Sequence, residues 1–254
     1  MSDEQEGDAV NTEASRILVL WDVDHTLIEN GGVSKETYAG AYELLTGHPP
    51  IHRARTDGRT DPAVMRDLLD QHGIEMTDAH ASMLNAALER SLQSRQEELR
   101  RRGYELPGAR EAIAALGNLD GIVQTVLTGN IKPNAFIKVA TFGLDSGLDL
   151  EVGGYGSDDS VRANLVGVAR RRAGAKYETF FDESTTVLIG DTVRDVRAGK
   201  ESGTYVIAVA SGLDTVQELE NEGADVTLPD LVDTSALIDA VMSVKKRDLR
   251  TARE

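Results

Sequence analysis

The chain has 254 residues, 40% of them apolar, and 43 acidic against 27 basic residues give it a formal charge of −16 and a sequence pI near 4.7. That length supports one large domain or a core carrying a smaller insert, and so acidic a field excludes nucleic acid and anionic membranes as default partners. The absence of cysteine excludes disulfides and thiolate metal sites.

Residues 1–15, "MSDEQEGDAVNTEAS", lack the basic start and apolar stretch of a signal peptide and read as a disordered acidic tail. No window approaches the roughly 20 apolar residues of a membrane span. A cytoplasmic protein, a monomer or weak dimer, is therefore expected. Residues 16–32 carry the first β-rich run, "RILVLWDV". Three more follow, "GIVQTVLTG", "TTVLIGD" and "TYVIAVASG", each succeeded by turn residues and a helical pattern, with "ADVTLPDL" as a possible fifth. Near-continuous apolar strands alternating with helices imply an α/β fold with a doubly wound, Rossmann-like parallel sheet.

The gap between the first two runs far exceeds an ordinary crossover. Residues 33–102 are expected to form an inserted helical subdomain, leaving 16–32 and 103–254 as the core domain. Within the insert, "DPAVMRDLLDQHG" has Asp61 as helix N-cap, Pro62 at the first helical position and Gly73 past the end. Further on, Met83, Leu84, Ala87, Leu88 and Leu92 make a core stripe at helical spacing. After the insert, Pro107 opens a helix in "LPGAREAIAALG" that Gly117 closes.

In open α/β sheets the ligand crevice lies at the carboxyl ends of the strands. The first run ends in Asp22, Asp24 and Thr26; the second in Thr128, Gly129 and Asn130; the third in Asp191 and, one turn on, Asp195. Carboxylates converging at one sheet edge need a compensating cation, and an all-oxygen donor set points to Mg²⁺, with Ca²⁺ the weaker alternative. Such a site suits a phosphate group, approached by an Asp nucleophile, a Thr128 hydroxyl and backbone N–H groups behind Gly129, with Lys132, Lys138 or Arg162 as the counter-charge.

These residues carry a resemblance. "DVDHTL", "LTGN" and "GDTVRD", in this order on successive strand ends, resemble motifs one, two and four of the haloacid dehalogenase superfamily, and the insert resembles its type-one helical cap. The similarity spans Arg16 to about Leu231. It implies a phosphatase of the phosphoglycolate phosphatase-like kind, hydrolysing a small phosphorylated metabolite through an aspartyl-phosphate. A phosphomutase of the β-phosphoglucomutase type is the alternative. By the same resemblance Asp22 is the nucleophile and Asp24 the general acid/base. Mg²⁺ is held by Asp22, the backbone carbonyl of Asp24 and Asp191, with Asp195 supporting that shell. Thr128, Gly129 and Asn130 bind phosphate. Members that cleave carbon–halogen bonds lack the second Asp, so Asp24 favours phosphate esters.

The sequence departs from the family pattern twice. His25 stands where the family usually has Gly, and no Lys-Pro stretch precedes the third strand. Arg162, at the start of a helix in "GSDDSVRANLVGVARRRAG", is the first choice for the phosphate cation. Lys138 is the second, because ten residues past Thr128 it is expected roughly 15 Å along a helix axis. In the insert, "RARTDGRTDP" reverses the local charge, and Arg59 beside Gly58 is a candidate contact for a polar or anionic part of the substrate.

Overall fold

In the computed structural model, which describes residues 16–56 and 58–244, the apolar run Ile17–Trp21 forms β1 in the interior of a parallel sheet. The tail expected at 1–15 lies outside the described residues. β1 is flanked by β4 (Ile122–Thr128) and β6 (Thr186–Gly190). With β5 (Gly154–Tyr155), β7 (Tyr205–Val209) and β8 (Val226–Leu228), the order is β5-β4-β1-β6-β7-β8. The possible fifth strand is β8. The edge strand β5 was not read from the sequence, because two residues starting with Gly154 carry no apolar pattern.

Both faces of this sheet are covered, which is why β1 has no polar letter. Ile17, Val19 and Trp21 pack toward α5 (Ala109–Gly117), α6 (Lys132–Thr141) and α10 (Thr234–Met242). Leu18 and Leu20 face the opposite side, against α7 (Arg162–Tyr177) and α8 (Val193–Glu201). Successive residues alternate faces, so an unbroken apolar run supplies two cores at once. The fold is α/β, doubly wound and Rossmann-like. Among the described residues no helix is long and apolar enough to cross a membrane.

Between β1 and β4 the chain leaves through β2 (Ile28–Glu29) and returns through β3 (Tyr104–Glu105), two short strands paired antiparallel. This ribbon brings both ends of the helical insert together. The insert holds α1 (Val33–Thr46), α2 (Asp61–Asp70), α3 (Asp78–Gln93) and α4 (Gln96–Arg102). It has its own core of Tyr38, Tyr42, Met65, Leu68, Leu69 and Leu88, to which Ile131 from the sheet side is added.

Several local expectations are corrected. Thr60, not Asp61, is the N-cap of α2; Asp61 is its first helical residue, and its carboxylate bonds outside the helix. Met83 is 48% exposed, one position off the stripe that buries Leu84, Ala87, Leu88 and Leu92. Pro107 precedes the turn at Gly108, and α5 begins at Ala109.

Trp21 is fully buried and donates its indole N–H to Gln124 Oε1 at 3.1 Å. Trp21→Ala is expected to lower unfolding stability by about 3–5 kcal/mol, measured by urea denaturation.

Candidate active site

The sheet order sets the site. Trp21 pairs with Ile189, so the next residues out of the two strands bring Asp22 of β1 and Asp191 of β6 to the same edge. One turn into α8, Asp195 completes a capping box with Thr192. Its Oδ2 accepts from Thr192 N at 3.2 Å and Oγ1 at 2.5 Å, while Oδ1 lies 2.5 Å from Arg162 Nη2. Carboxylate oxygens of Asp22, Asp191 and Asp195 all lie within 4.8 Å of one another, and all three residues are buried.

Arg162 is the first residue of α7, so its guanidinium reaches across the sheet end and Nη2 donates to Asp22 Oδ1 at 2.7 Å. Its buried Nε has no hydrogen-bond partner. Burial raises the Asp22 pKa to about 6; Arg162 pulls it down and Asp195 pushes it further up. Burial, then the charges of Asp22 and Asp195, raises Asp191 well above the ordinary carboxylate range.

Asp24 lies in a different environment. Lys138 Nζ contacts its Oδ1 at 2.8 Å and Oδ2 at 2.6 Å, Asn130 Nδ2 donates to Oδ2 at 2.8 Å, and Asn30 Nδ2 donates to Oδ1 at 2.9 Å. Burial alone would raise its pKa, but the Lys138 charge and these hydrogen bonds lower it to about 2. The expectation that Lys138 lies far along its helix is thus corrected. Since α6 begins only at Lys132, Lys138 is in its second turn, and helical side chains lean back toward the N-terminus. The 3% exposed Lys138 side chain uses its length to return to the strand ends. Lys132 instead pairs with Glu151.

Of the remaining candidates, Thr128 Oγ1 accepts from Asn130 Nδ2 at 2.7 Å, leaving its own proton to donate. The Asn130 side chain is committed to Asp24, Thr128 and Lys138. Gly129 lies under the helical insert: a Cβ there would meet Arg59 O at 2.3 Å. Arg59 lines the cleft, with Nη1 3.3 Å from Asp67. His25 has φ 63°, a left-handed conformation that glycine adopts freely and histidine tolerates. Its Nδ1 lies 2.9 Å from Glu29 Oε2 at the rim. The cleft has a volume of about 540 Å³ and is lined by Asp22, Asp24, Asp191, Thr128 and Arg162 on the sheet side.

Thr26, read from the sequence at the end of the first run, donates its Oγ1 hydrogen to Asp191 Oδ1 at 3.2 Å. Four participants in the site were missed in the sequence, namely Asn30, which holds Asp24, and Asp61, Tyr38 and Gly212. Asp61 and Tyr38 meet the strand ends from the insert. Gly212 has a legible signal, a glycine just past the β7 end beside β6. A Cβ at Gly212 would lie 1.8 Å from Asp191 Oδ2.

The sequence profile of the haloacid dehalogenase-like hydrolases matches residues 19–200. No curated protein matches the chain. Among solved structures it is similar to a hydrolase from Pseudomonas syringae, with 20% identity, a TM-score of 0.65 and coverage of 89% of this chain and 99% of that one. It is similar to a candidate β-phosphoglucomutase from Bacteroides vulgatus, at 18% identity and TM-score 0.63, covering 91% of each chain. It is also similar to a predicted phosphoglycolate phosphatase from Haemophilus somnus, at 15% identity and TM-score 0.61, covering 88% of this chain and 98% of that one. At these identities the structural likeness concerns the fold.

The donor set fits a hard divalent cation: of three buried carboxylates, two have pKa values pushed up by burial and like charge, and among the described residues Arg162 is the cation paired with the cluster, through Asp22 and Asp195. The Asp22 pKa near 6 lies above its unfolded value of 3.8, so the native metal-free protein holds more protons between them and loses stability as pH rises through that window. Protons and a cation bound here would compete for the same oxygens. Mg²⁺ is therefore expected to raise the melting temperature more at about pH 7.5 than at about pH 5, and Gly212→Ala should abolish that rise.

Proposed function

The chain belongs to the haloacid dehalogenase-like hydrolases, and we propose that within that family it is a Mg²⁺-dependent phosphatase of small phosphomonoesters, working through an aspartyl-phosphate. The observation that carries this reading is the buried Arg162 guanidinium beside Asp22, with one N–H free of any partner and the rest of its charge shared with the carboxylates. A cluster of three buried carboxyl groups with an unsatisfied guanidinium donor suits an anionic substrate and a cation bound together.

Asp22 and Asp191 would hold Mg²⁺, with Asp195 supporting them from the helix cap. Bound there, the ion supplies charge neutralisation at the phosphoryl oxygens. An Asp22 carboxylate oxygen attacks phosphorus, and the bond from phosphorus to the ester oxygen breaks. Arg162 Nε and the Thr128 hydroxyl hydrogen-bond the phosphoryl oxygens, helped by backbone N–H groups of the Gly129 loop. Asp24 gives its proton to the departing oxygen. It then takes one from the water that attacks the aspartyl-phosphate, releasing phosphate and restoring the Asp22 carboxylate. In the free protein Asp24 is held ionised, ready for the second step. A phosphate dianion brought beside it opposes Lys138 and raises its proton affinity, as the first step requires.

The helical insert, residues 33–102, serves as a cap that closes the cleft, and Arg59 faces the leaving group from it. A compact polar cleft suits a small metabolite. A phosphomutase shares these residues but transfers the phosphoryl group back to sugar.

Asp22→Asn is expected to lower kcat by at least about a thousandfold with an unchanged circular dichroism spectrum. Retained turnover in that variant overturns the mechanism. Assaying phosphate release from small esters, with and without Mg²⁺, separates the reactions: a phosphatase releases one phosphate per ester consumed, a mutase isomerises with little release.

A further inference from the structure

The mechanism leaves one buried carboxylate unused. Asp61, the first residue of α2, is 2% exposed, and every one of its polar groups is engaged. Its Oδ1 accepts the Tyr38 hydroxyl of α1 at 2.7 Å. Its Oδ2 accepts the Ile131 N–H at 2.9 Å, and its own N–H donates to Gly129 O at 2.7 Å. Asp61 therefore clips the residues on either side of Asn130. Asn130 in turn donates to Asp24 Oδ2 at 2.8 Å and accepts from Lys138 at 2.7 Å. From the sheet side Gly156 N–H donates to Asn130 O at 2.9 Å, and Thr128 Oγ1 accepts the Asn130 N–H at 3.3 Å.

The close approach is built in. A Cβ at Gly129 would lie 2.3 Å from Arg59 O, and one at Gly156 would lie 2.0 Å from Gly129 O. The loop between β4 and α6 is thus layered between Gly156 beneath and residues 59–61 above. Ile131 contributes its side chain to the core of the insert, so its backbone and side chain are both held from that side.

We infer that Asp61 is a positioning residue that acts through Asn130, so that seating of the helical insert sets the orientation of Asp24. The inference rests on the phosphatase reading for its kinetic consequence, and on hydrogen bonding alone for the clip. With the insert lifted, Gly129 and Ile131 lose their partners, and Asn130 no longer holds the Asp24 carboxylate toward the leaving group. Proton transfer and closure become one event, so an ester is protonated only in a closed cleft.

Two readouts test this. In hydrogen exchange of the Mg²⁺-loaded full chain, Asp61→Ala should speed exchange of a peptide covering residues 128–134 by about tenfold or more. In kinetics, phenyl phosphate has a poor leaving group that needs a proton, whereas 2,4-dinitrophenyl phosphate does not. Asp61→Ala should lower kcat/KM for phenyl phosphate by about ten- to a hundredfold and for the dinitrophenyl ester by less than about threefold. Inhibition by inorganic phosphate should stay as in the wild type. Tyr38→Phe, which removes only the hydroxyl that holds Asp61, should shift the ratio of the two esters the same way by a smaller factor. Equal loss on both esters, or an unchanged ratio, overturns the inference, as does unchanged exchange in the loop peptide. Wild-type protein that hydrolyses neither ester refutes the phosphatase reading, and the exchange measurement then decides the clip by itself.

Discussion

Like charge forced together at the end of a buried strand pair is the constraint on which this structure turns. Asp22, Asp191 and Asp195 have oxygens within 4.8 Å of one another and almost no access to water. In bulk water such repulsion is modest, but at the low effective dielectric of a buried edge it dominates local energetics. Each neighbouring element offsets part of it. Helix α7 begins where its first side chain, Arg162, reaches two of the three carboxylates. Helix α8 begins with a capping box that ties one Asp195 oxygen to the helix N-terminus, where negative charge is favoured. Thr26 holds Asp191. The residual charge is what a divalent cation would neutralise.

Stability and chemistry use the same elements in different ways. The parallel sheet is stabilised by two apolar faces, and its strand order requires nothing of the polar edge except that β1 lie between β4 and β6. That single adjacency delivers an acid pair, a hydroxyl and an Asp–helix unit to one crevice, as open α/β sheets generally do. The helical insert has its own core but shares Ile131 with the loop after β4, so it is seated on the polar edge of the sheet rather than elsewhere on the surface. Glycines at positions 129 and 156 allow that seat, because any side chain there would push the layers apart.

The fold was legible because its strands are nearly pure apolar runs, and a buried parallel sheet leaves no other pattern. Asp22, Asp24, Asp191 and Asp195 were legible for a related reason, since charge directly after an apolar run has few purely structural uses. What sequence could not give were contacts set by helix starts. Lys138 looked remote because its helix was counted from Thr128, whereas α6 begins at Lys132 and the side chain leans back. Asp61 looked like an N-cap because Asp before Pro usually is one; Thr60 takes that position, and the carboxylate is freed for Ile131 and Tyr38. Asn30 acts through a turn whose geometry no periodicity encodes.

Two acids one residue apart end with opposite tendencies, and the cause is the company each keeps. Asp22 turns toward Asp191 and Asp195, where burial and like charge raise its proton affinity despite Arg162. Asp24 turns toward Lys138, Asn130 and Asn30, where burial is outweighed and its proton affinity falls. The split separates the two groups before any substrate arrives, and environments that drive paired titratable groups apart are how acid and base roles are assigned. It also fixes what each requires. Positive charge added to its cluster would favour the ionised Asp22 carboxylate. Asp24 gains a proton when negative charge is added beside Lys138. A cation and an anionic group bound together would supply both at once, so the two environments call for opposite charges on the two sides of one crevice.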